Sequence, residues 1–431
     1  MKDGSIKVDY LARIEGEGAF YVKVKDGAVV DAHLRVFEPP RFFEGFLRGR
    51  RHEEVVDITA RICGICPIAY QSASSQSMER IMGIKVDGQL RELRRLMYLG
   101  EWIESHVLHV FLLHAPDFLG YQSVIHMAPD HPEIVKQALG LKKLGNDIMI
   151  QLGGREIHPV GWKVGGFHKV PDASQLTPLV PRLEEAINLC LELMTTLAKV
   201  LKFPDFEREY EFVSVDHPTE YPILDGRIKS SLGLNIDAAE YEANFKEEHV
   251  ERANALQGRR TSGAPYFVGP LARFNNSFEK LSAGAKKAAK IAGVAPGVSN
   301  PFKGILVRMV ETVWACEEAI KIIRAYKKPE AASIAYTVKA GRGMAVSEAP
   351  RGMIYHRYTV DEKGLVVDAK ITPPTAQNQP TIEADLRLFV EKNLDMPEDK
   401  LTWECEKAIR NYDLCLSCAT HFLKLNIERV S

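Results

Sequence analysis

Apolar residues recur at helical spacing in three long stretches of the chain. These stretches cover about 91–114, 132–152 and 181–201, and an apolar residue returns there at every third or fourth position. This period aligns apolar side chains along helix faces, and their presence on several faces indicates burial within a bundle. The glycines at 153 and 154 predict the end of the second helix.

Alternating apolar and polar positions predict strands in two places. Residues 19–36 alternate around Asp26-Gly27, a dipeptide typical of tight hairpin turns. Residues 353–372 show the same strand character on both sides of a Glu-Lys-Gly turn. Helical period returns in three later segments, which are 303–326, 381–394 and 400–410.

Together these patterns predict an α+β fold that is mainly α, with a long buried helix bundle and peripheral β-hairpins. Residues 203–300 are more polar and mixed, so we interpret them as a peripheral α+β insertion. The chain has 431 residues, of which 45% are hydrophobic, and can therefore bury a large core. Without repeats or an obvious linker, residues 1–431 are expected to form a single domain.

Composition narrows the class of protein. The 56 basic and 57 acidic residues nearly balance, which argues against a nucleic-acid partner. The first residues lack the apolar run of a secretory signal, and no stretch approaches the roughly 20 apolar residues of a membrane span. Seven cysteines suit a reducing compartment better than a disulfide framework. We therefore expect a cytoplasmic protein without a direct membrane span.

Two Cys-x-x-Cys pairs lie near opposite ends of the chain, Cys63 with Cys66 and Cys415 with Cys418. Each pair can direct two thiolates at one point, and four sulfur ligands suit zinc, nickel or iron. The spacing leaves open a shared metal site, a structural zinc site, or a thioredoxin-like redox function of the first pair alone. Zinc ribbons usually have their pairs closer together, which counts against zinc.

The three other cysteines fall in helical patterns and are predicted to be small buried apolar residues: Cys190, Cys316 and Cys405.

The two cysteine motifs, RICGIC at 61–66 and DLCLSCATH at 413–421, together resemble those of the large subunit of nickel–iron hydrogenases. Six further segments resemble elements of that family in the same order: ARIEGEG (12–18), RFFEGFLRGR (41–50), SHVLHVFLLHAPD (105–117), GGREIHPVGWKVGG (153–166), EAPRG (348–352) and TPPTAQNQP (372–380). The resemblance covers nearly the whole chain. It implies an oxidoreductase that catalyses H₂ ⇌ 2H⁺ + 2e⁻.

The resemblance also implies a nickel–iron centre bound by both cysteine pairs. Cys63 and Cys415 would be terminal nickel ligands, and Cys66 and Cys418 would bridge nickel to iron. Carbon monoxide and cyanide would be the remaining ligands of the iron. Thr375 would hydrogen-bond a cyanide, although a hydroxyl after two prolines can also simply shape a turn.

Four residues receive catalytic roles from the resemblance. The Cys415 thiolate would be the first base and Glu15 the next proton relay. Arg351 would lie over the metals and offset the thiolate charge, and Asp117 would lie near the active site. The alternatives are that Glu15 is a solvated charge beside a strand and that Arg351 forms a structural salt bridge, for which Asp117 is one candidate partner.

An accessory site is implied as well. Glu44 and His421 would bind a hard ion such as Mg²⁺ between the active site and the proton exit. Arg61 and His158 also match family positions and are expected to support the centre or the fold.

Several positions depart from the common family pattern. Tyr70 stands where many members have histidine, and Glu17 replaces another histidine; both features resemble the cytosolic, pyridine-nucleotide-linked branch with its sulfhydrogenase-type enzymes. Leu414 replaces the usual proline before Cys415, which predicts a looser placement of that cysteine. Ten residues follow His421, where most of the family lose such a tail by proteolysis after metal insertion.

Electrons must leave through other chains, because the sequence contains no dinucleotide fingerprint, no flavin motif and no iron–sulfur cysteine array. We expect an iron–sulfur small subunit, further iron–sulfur subunits, and a partner that binds flavin and NAD(P). Two alternatives stay open. One is a relative of the quinone-site subunit of respiratory complex I, although such relatives generally lack the four cysteines, and the other is a zinc-stabilised scaffold.

Overall fold

The computed structural model describes residues 4–39 and 41–420. Helices dominate, with about 48% of residues helical and 19% in strands, so the predicted α+β fold, mainly α, is confirmed. The helices of the described residues are α1 Phe43–Leu47, α2 Glu54–Ala60, α3 Pro67–Met82, α4 Gly88–Val107, α5 Ala115–Leu119, α6 Val124–Met127, α7 Pro132–Gly153, α8 Ala173–Leu176, α9 Leu179–Val200, α10 Tyr241–Asn244, α11 Pro270–Ser277, α12 Ala283–Ala292, α13 Gly304–Ala325, α14 Pro374–Lys392 and α15 Glu398–Arg410.

The strands in the same part of the chain pair only in antiparallel fashion, as small separate sheets. Their bounds are β1 Gly4–Val8, β2 Gly18–Lys25, β3 Ala28–Val36, β4 Trp162–Lys163, β5 Gly166–Phe167, β6 Val213–Asp216, β7 Arg227–Ser230, β8 Asn235–Ile236, β9 Phe245–His249, β10 Leu256–Arg260, β11 Gly341–Ala349, β12 Gly352–Val360 and β13 Val366–Thr372. Three sheets have three strands each, in the orders β1-β2-β3, β6-β7-β8 and β11-β12-β13. The pairs β4-β5 and β9-β10 complete the set.

The long helices form the buried bundle that the apolar period predicts. Helix α4 packs against α7 and α13, and α9 packs on α13. Both α4 and α13 are buried on almost every face. The hairpins predicted around Asp26-Gly27 and over 353–372 are also confirmed, as β2-β3 and β12-β13. Cys190, Cys316 and Cys405 are buried as predicted.

Three features differ from the sequence prediction. The helical stretch that begins with α4 continues beyond Val107 as a π-helical turn over Leu108–His114. Helix α14 begins at Pro374 and not near 381, because its first turns bury polar side chains and therefore carry no apolar period. Strand β11 was not predicted; it pairs along the whole of β12.

The segment 203–300 reaches into the molecule at several points. Phe267 and Leu271 lie in the same apolar core as the long helices. Arg273 of α11 is fully buried and donates hydrogen bonds to the carboxylates of Glu311 and Glu348. The assignment of this segment as a peripheral insertion in a single domain stays a prediction.

The described residues contain no helix that combines the length and the apolarity required to cross a bilayer.

Helices α4 and α7 approach closely where two glycines face each other. A Cβ atom on Gly145 would lie 2.5 Å from Gly100 O and 2.7 Å from Glu104 N. Only a hydrogen atom fits at such separations. The absence of side chains at these two glycines therefore sets the spacing of the two helices.

We expect Gly145→Ala to lower the free energy of unfolding by about 1–3 kcal/mol, because the new methyl group must push the helices apart. Gly140→Ala is the matched control on the same helix, since its Cβ would meet no atom within 4 Å. The control should raise stability by up to about 1 kcal/mol, as alanine favours helix over glycine. Urea denaturation followed by circular dichroism measures both. Equal changes in the two variants would contradict this account of the crossing.

Candidate metal centre

The two Cys-x-x-Cys pairs meet in the interior, and all four side chains are buried. Cys63 Sγ lies 3.5 Å from Cys415 Sγ, which lies 2.6 Å from Cys418 Sγ. The sulfur atoms of Cys63, Cys66 and Cys418 are all within 4.8 Å of one another. One centre can therefore contact sulfur atoms from both ends of the chain.

The first pair is held at the beginning of α3. Backbone N–H groups of Ile65 and Cys66 point at Cys63 Sγ, at 3.3 and 3.4 Å. The helix starts immediately afterwards at Pro67, a residue suited to a first helical position because it has no N–H to leave unpaired.

Glu101 of α4 stabilises the first turn of α3. Its carboxylate accepts hydrogen bonds from the N–H groups of Ile68 at 2.6 Å and Ala69 at 3.3 Å. Burial raises the pKa of Glu101 well above its usual range. Glu101 was not predicted as a site residue; the signal in the sequence was an acidic side chain within a helix predicted to be buried on several faces.

The second pair is held by the N-terminal segment. Glu15 N–H donates to Leu414 O at 3.1 Å, and Leu416 N–H donates to Glu15 O at 2.8 Å. These bonds pair Glu15 with Cys415 as in a parallel sheet. Leu414 is buried, and its carbonyl is fixed by this pairing. The predicted loosening of Cys415 by the missing proline is therefore opposed by two backbone hydrogen bonds.

The side chain of Glu15 faces the sulfur of the same cysteine. Glu15 Oε2 lies 3.0 Å from Cys415 Sγ and accepts the Ser417 N–H at 3.1 Å. The Ser417 hydroxyl donates to Glu15 Oε1 and lies 3.3 Å from Glu38 Oε1. Glu38 is half-buried. A continuous hydrogen-bonded chain thus runs from the cysteine sulfur to a carboxylate that meets solvent.

Arg351 is buried beside the sulfur atoms, but its carboxylate partner is not Asp117. Its guanidinium donates to Asp413 O at 2.7 Å and to Asp413 Oδ1 at 2.9 Å, and it lies 3.4 Å from Ser105 Oγ. Burial lowers the pKa of Arg351, but Asp413 and the cysteine sulfurs raise it by more, so the group stays cationic. The predicted salt bridge of Arg351 with Asp117 is thus wrong, because Asp413, three residues after the end of α15, pairs with the guanidinium.

Asp117 lies in another ion-pair cluster. It accepts hydrogen bonds from Arg13 at 2.5 Å and from Arg410 at 2.7 and 2.8 Å. Both arginines belong to the segments that carry Glu15 and Cys415. Asp117 therefore contacts the supports of the centre; among its described hydrogen bonds and ion pairs, none reaches a site cysteine.

Thr375 lies at the first turn of α14, directly under the second pair. Its hydroxyl oxygen accepts the N–H of Cys415 at 3.1 Å. Because the oxygen is used as an acceptor, the hydroxyl hydrogen is left to donate elsewhere.

Of the predicted magnesium ligands, Glu44 lies on α1 and accepts the N–H of Ile371 at 2.8 Å. His421 lies outside the described residues. Arg61 is exposed and donates to Asp57 O, and His158 Nδ1 lies 2.8 Å from Ala60 O, so both support the loop before Cys63.

The donor set fits a soft transition metal. Hydrogen bonds from the neighbouring thiols, that of Cys415 first, lower the pKa of Cys63 well below its usual range, whereas burial raises the pKa of Cys415. Four thiolates would bring more negative charge than Arg351 alone can offset, and cations held between the sulfurs would balance it. The one described carboxylate at hydrogen-bond distance from these sulfurs is that of Glu15, which the cysteine thiol and Ser417 already engage, so sulfur dominates the donor set.

Comparisons with known proteins agree with this geometry. The model of the family described as nickel-dependent hydrogenase matches residues 41–140 and 238–421. The alpha subunit of sulfhydrogenase 1 from Pyrococcus furiosus is 32% identical, over 97% of this chain and 98% of that protein. The alpha subunit of sulfhydrogenase 2 from the same organism is 30% identical, over 97% of this chain and 100% of that protein.

Among solved structures, the fold is similar to that of an NAD⁺-reducing [NiFe]-hydrogenase in the H₂-reduced state. The TM-score is 0.89 at 24% sequence identity, over 97% of this chain and 99% of that one. At this identity the likeness concerns the fold.

We expect Thr375→Val to lower the free energy of unfolding by about 1–3 kcal/mol, because the buried N–H of Cys415 loses its acceptor. Thr375→Ser is the matched control, since it keeps the oxygen, and it should lose less stability. Urea denaturation of the full chain measures both. If valine and serine were equally tolerated, the hydrogen bond from Cys415 would not be important for the second pair.

Proposed function

The chain belongs to the nickel-dependent hydrogenase family, and on this premise we propose that it is the catalytic subunit of a complex that catalyses H₂ ⇌ 2H⁺ + 2e⁻. The observation that carries the proposal is the meeting of both cysteine pairs with a carboxylate 3.0 Å from one of the sulfurs. A nickel–iron pair bound there would supply the Lewis acidity and the electron acceptance that splitting of H₂ requires.

Within this proposal all four cysteines would hold the two metals. Cys63 and Cys415 would be ligands of nickel, and Cys66 and Cys418 would be ligands of both nickel and iron. The carbon monoxide and cyanide ligands of iron belong to the proposal as well. The position of Thr375 supports the cyanide assignment, because its hydroxyl oxygen accepts the Cys415 N–H and its hydroxyl hydrogen can donate to a cyanide nitrogen.

The proton leaves through the carboxylate beside the second pair. Cys415 Sγ passes it to Glu15, which accepts a hydrogen bond from the Ser417 hydroxyl. The same hydroxyl lies 3.3 Å from Glu38 Oε1, and the half-buried Glu38 carboxylate receives the proton. A carboxylate at hydrogen-bond distance from the sulfur is well placed for general acid–base catalysis. In this proposal Glu15 and Cys415 are catalytic residues.

Arg351 and Asp117 have different roles. The guanidinium of Arg351 is cationic in a buried site, where it stabilises negative charge on the thiolates. Asp117 is a positioning residue, because its pairs with Arg13 and Arg410 tie the two segments that hold Glu15 and Cys415. Glu44, together with His421, would hold Mg²⁺.

We propose that the electrons leave where the first cysteine pair comes close to the surface. Gly64 follows Cys63 and is itself exposed. A Cβ on Gly64 would lie 3.8 Å from Ile157 Cγ2, and Ile157 is 54% exposed. With exposed Val160 nearby in sequence, this gives an apolar contact surface one residue from a site cysteine. We assign it to the iron–sulfur small subunit.

Further iron–sulfur subunits and a partner that binds flavin and NAD(P) would carry the electrons onward. The similarity in fold to an NAD⁺-reducing hydrogenase and in sequence to two sulfhydrogenase chains supports this assignment. The proposed coupling to NAD(P) also favours a cytoplasmic location.

We expect the purified complex to contain nickel and iron, and Glu15→Gln to retain both while H₂/D₂O exchange falls by about 100-fold or more. Glutamine keeps one oxygen that can accept the Ser417 N–H, and its amide group can donate to the Ser417 hydroxyl oxygen, so the loop should stay in place while the proton relay is lost. Elemental analysis, the carbon monoxide and cyanide infrared bands, and mass-spectrometric exchange assays measure these outcomes.

Zinc without nickel or iron in the wild-type complex would contradict the proposal and favour the zinc-stabilised scaffold. Full exchange activity in Glu15→Gln would contradict the relay alone.

We expect Ile157→Glu to raise the dissociation constant of the small subunit by about tenfold or more, because a charge would be buried in an apolar contact. Leu232→Glu is the matched control, since Leu232 is 74% exposed in a different segment, at the turn between β7 and β8. Surface plasmon resonance with the small subunit measures both. Equal affinity of the two variants would place the electron-exit surface elsewhere.

A further inference from the structure

Arg41 connects the two cysteine loops directly. Its Nη2 group donates to Ile62 O, the carbonyl immediately before Cys63, and to Ser417 O at 2.6 Å, the carbonyl immediately before Cys418. One guanidinium nitrogen carries two hydrogens and can therefore serve both carbonyls at once.

The same residue also holds the end of the second loop. The backbone N–H of Arg41 donates to Thr420 O at 2.8 Å. Its guanidinium lies over the ring of Phe43, 5.2 Å from the centroid, and this contact favours the side-chain position that reaches both loops. The side chain is half-buried, so solvent only partly competes for these bonds.

The two sides of the C-terminal cysteine loop are thus held differently. On one side Glu15 pairs with Leu414 and Leu416 through the backbone. On the other side the described structure shows Arg41 bonded to Ser417 and Thr420. Carbonyls in such irregular segments need donors that the local chain does not supply, and a charged donor makes the stronger bond.

We propose that Arg41 is a non-covalent cross-link that closes the C-terminal cysteine loop onto the first cysteine pair. Arg41 is a positioning residue: it acts through the loop carbonyls and touches neither sulfur nor substrate. The inference rests on the proposed function in one respect, which is that the four cysteines are taken as the metal ligands. The closure itself belongs to the polypeptide and can be measured before any metal is bound.

The test compares Arg41→Gln with wild type in the full chain produced without nickel. A short iodoacetamide pulse followed by peptide mass spectrometry gives the alkylation rate of each cysteine. We expect Cys415 and Cys418 to react about tenfold faster in Arg41→Gln, as expected for the loss of a hydrogen bond to a charged group. Cys190, buried in α9, should keep its rate and thereby report that the whole fold is intact.

Two further variants sharpen the comparison. Arg50→Gln removes a charge from the same segment, but the Arg50 side chain is 57% exposed and makes only a 3.8 Å ion pair with Glu54, so it should leave all rates unchanged. Arg41→Lys keeps the charge without the planar group, so its alkylation rates at Cys415 and Cys418 should fall between those of wild type and Arg41→Gln.

Unchanged rates at Cys415 and Cys418 in Arg41→Gln would overturn the inference. A parallel increase at Cys190 would overturn it too, because Arg41 would then stabilise the fold as a whole. In the assembled complex, Arg41→Gln should contain less nickel than Arg50→Gln. If the wild-type complex contained no nickel, the proposed function would fail, while the alkylation rates would still decide whether Arg41 closes the loop.

Discussion

The centre depends above all on one short piece of backbone pairing. Glu15 exchanges hydrogen bonds with Leu414 and Leu416, and these bonds bring the N-terminal segment to the last cysteine pair. The pairing fixes the backbone on both sides of Cys415 and, at the same residue, directs a carboxylate at Cys415 Sγ. The position of a candidate metal ligand and that of the proposed proton relay therefore depend on the same contact. A displaced backbone at this point would disturb both.

The protein also buries several charged side chains, and these are paired with groups of opposite charge. Arg273 donates to Glu311, to Glu348 and to the carbonyls of Ala349 and Pro350, which lie directly before Arg351. Arginine at such a site satisfies several acceptors with one planar group, whereas a broken buried pair would leave a charge without a partner. The cation beside the sulfurs is thus held by a second buried arginine, from a segment whose composition resembles a surface insertion.

The two cysteine pairs stand at different places in the order of the elements. The first cysteine pair lies between α2 and α3, inside a compact set of helices, while the second follows the last helix, α15. Its loop is held by the backbone of Glu15, by the Thr375 hydroxyl and by Arg41. Together these bonds fix a loop that lacks the stiffening proline.

The sequence by itself determined the local elements and the chemistry of the ligands. Apolar periods gave the long helices, Asp26-Gly27 gave the first hairpin, and the cysteine spacing gave two chelating pairs, because each signal lies within a few neighbouring residues. Tertiary structure alone decided what depends on distant contacts. The partner of Arg351, the position of Asp117, and the roles of Glu101 and Arg41 follow from contacts between remote segments, as does the Glu15–Cys415 contact, which spans 400 positions. The polar residues buried at the start of α14 likewise give no apolar period in the sequence, because their partners lie on other elements.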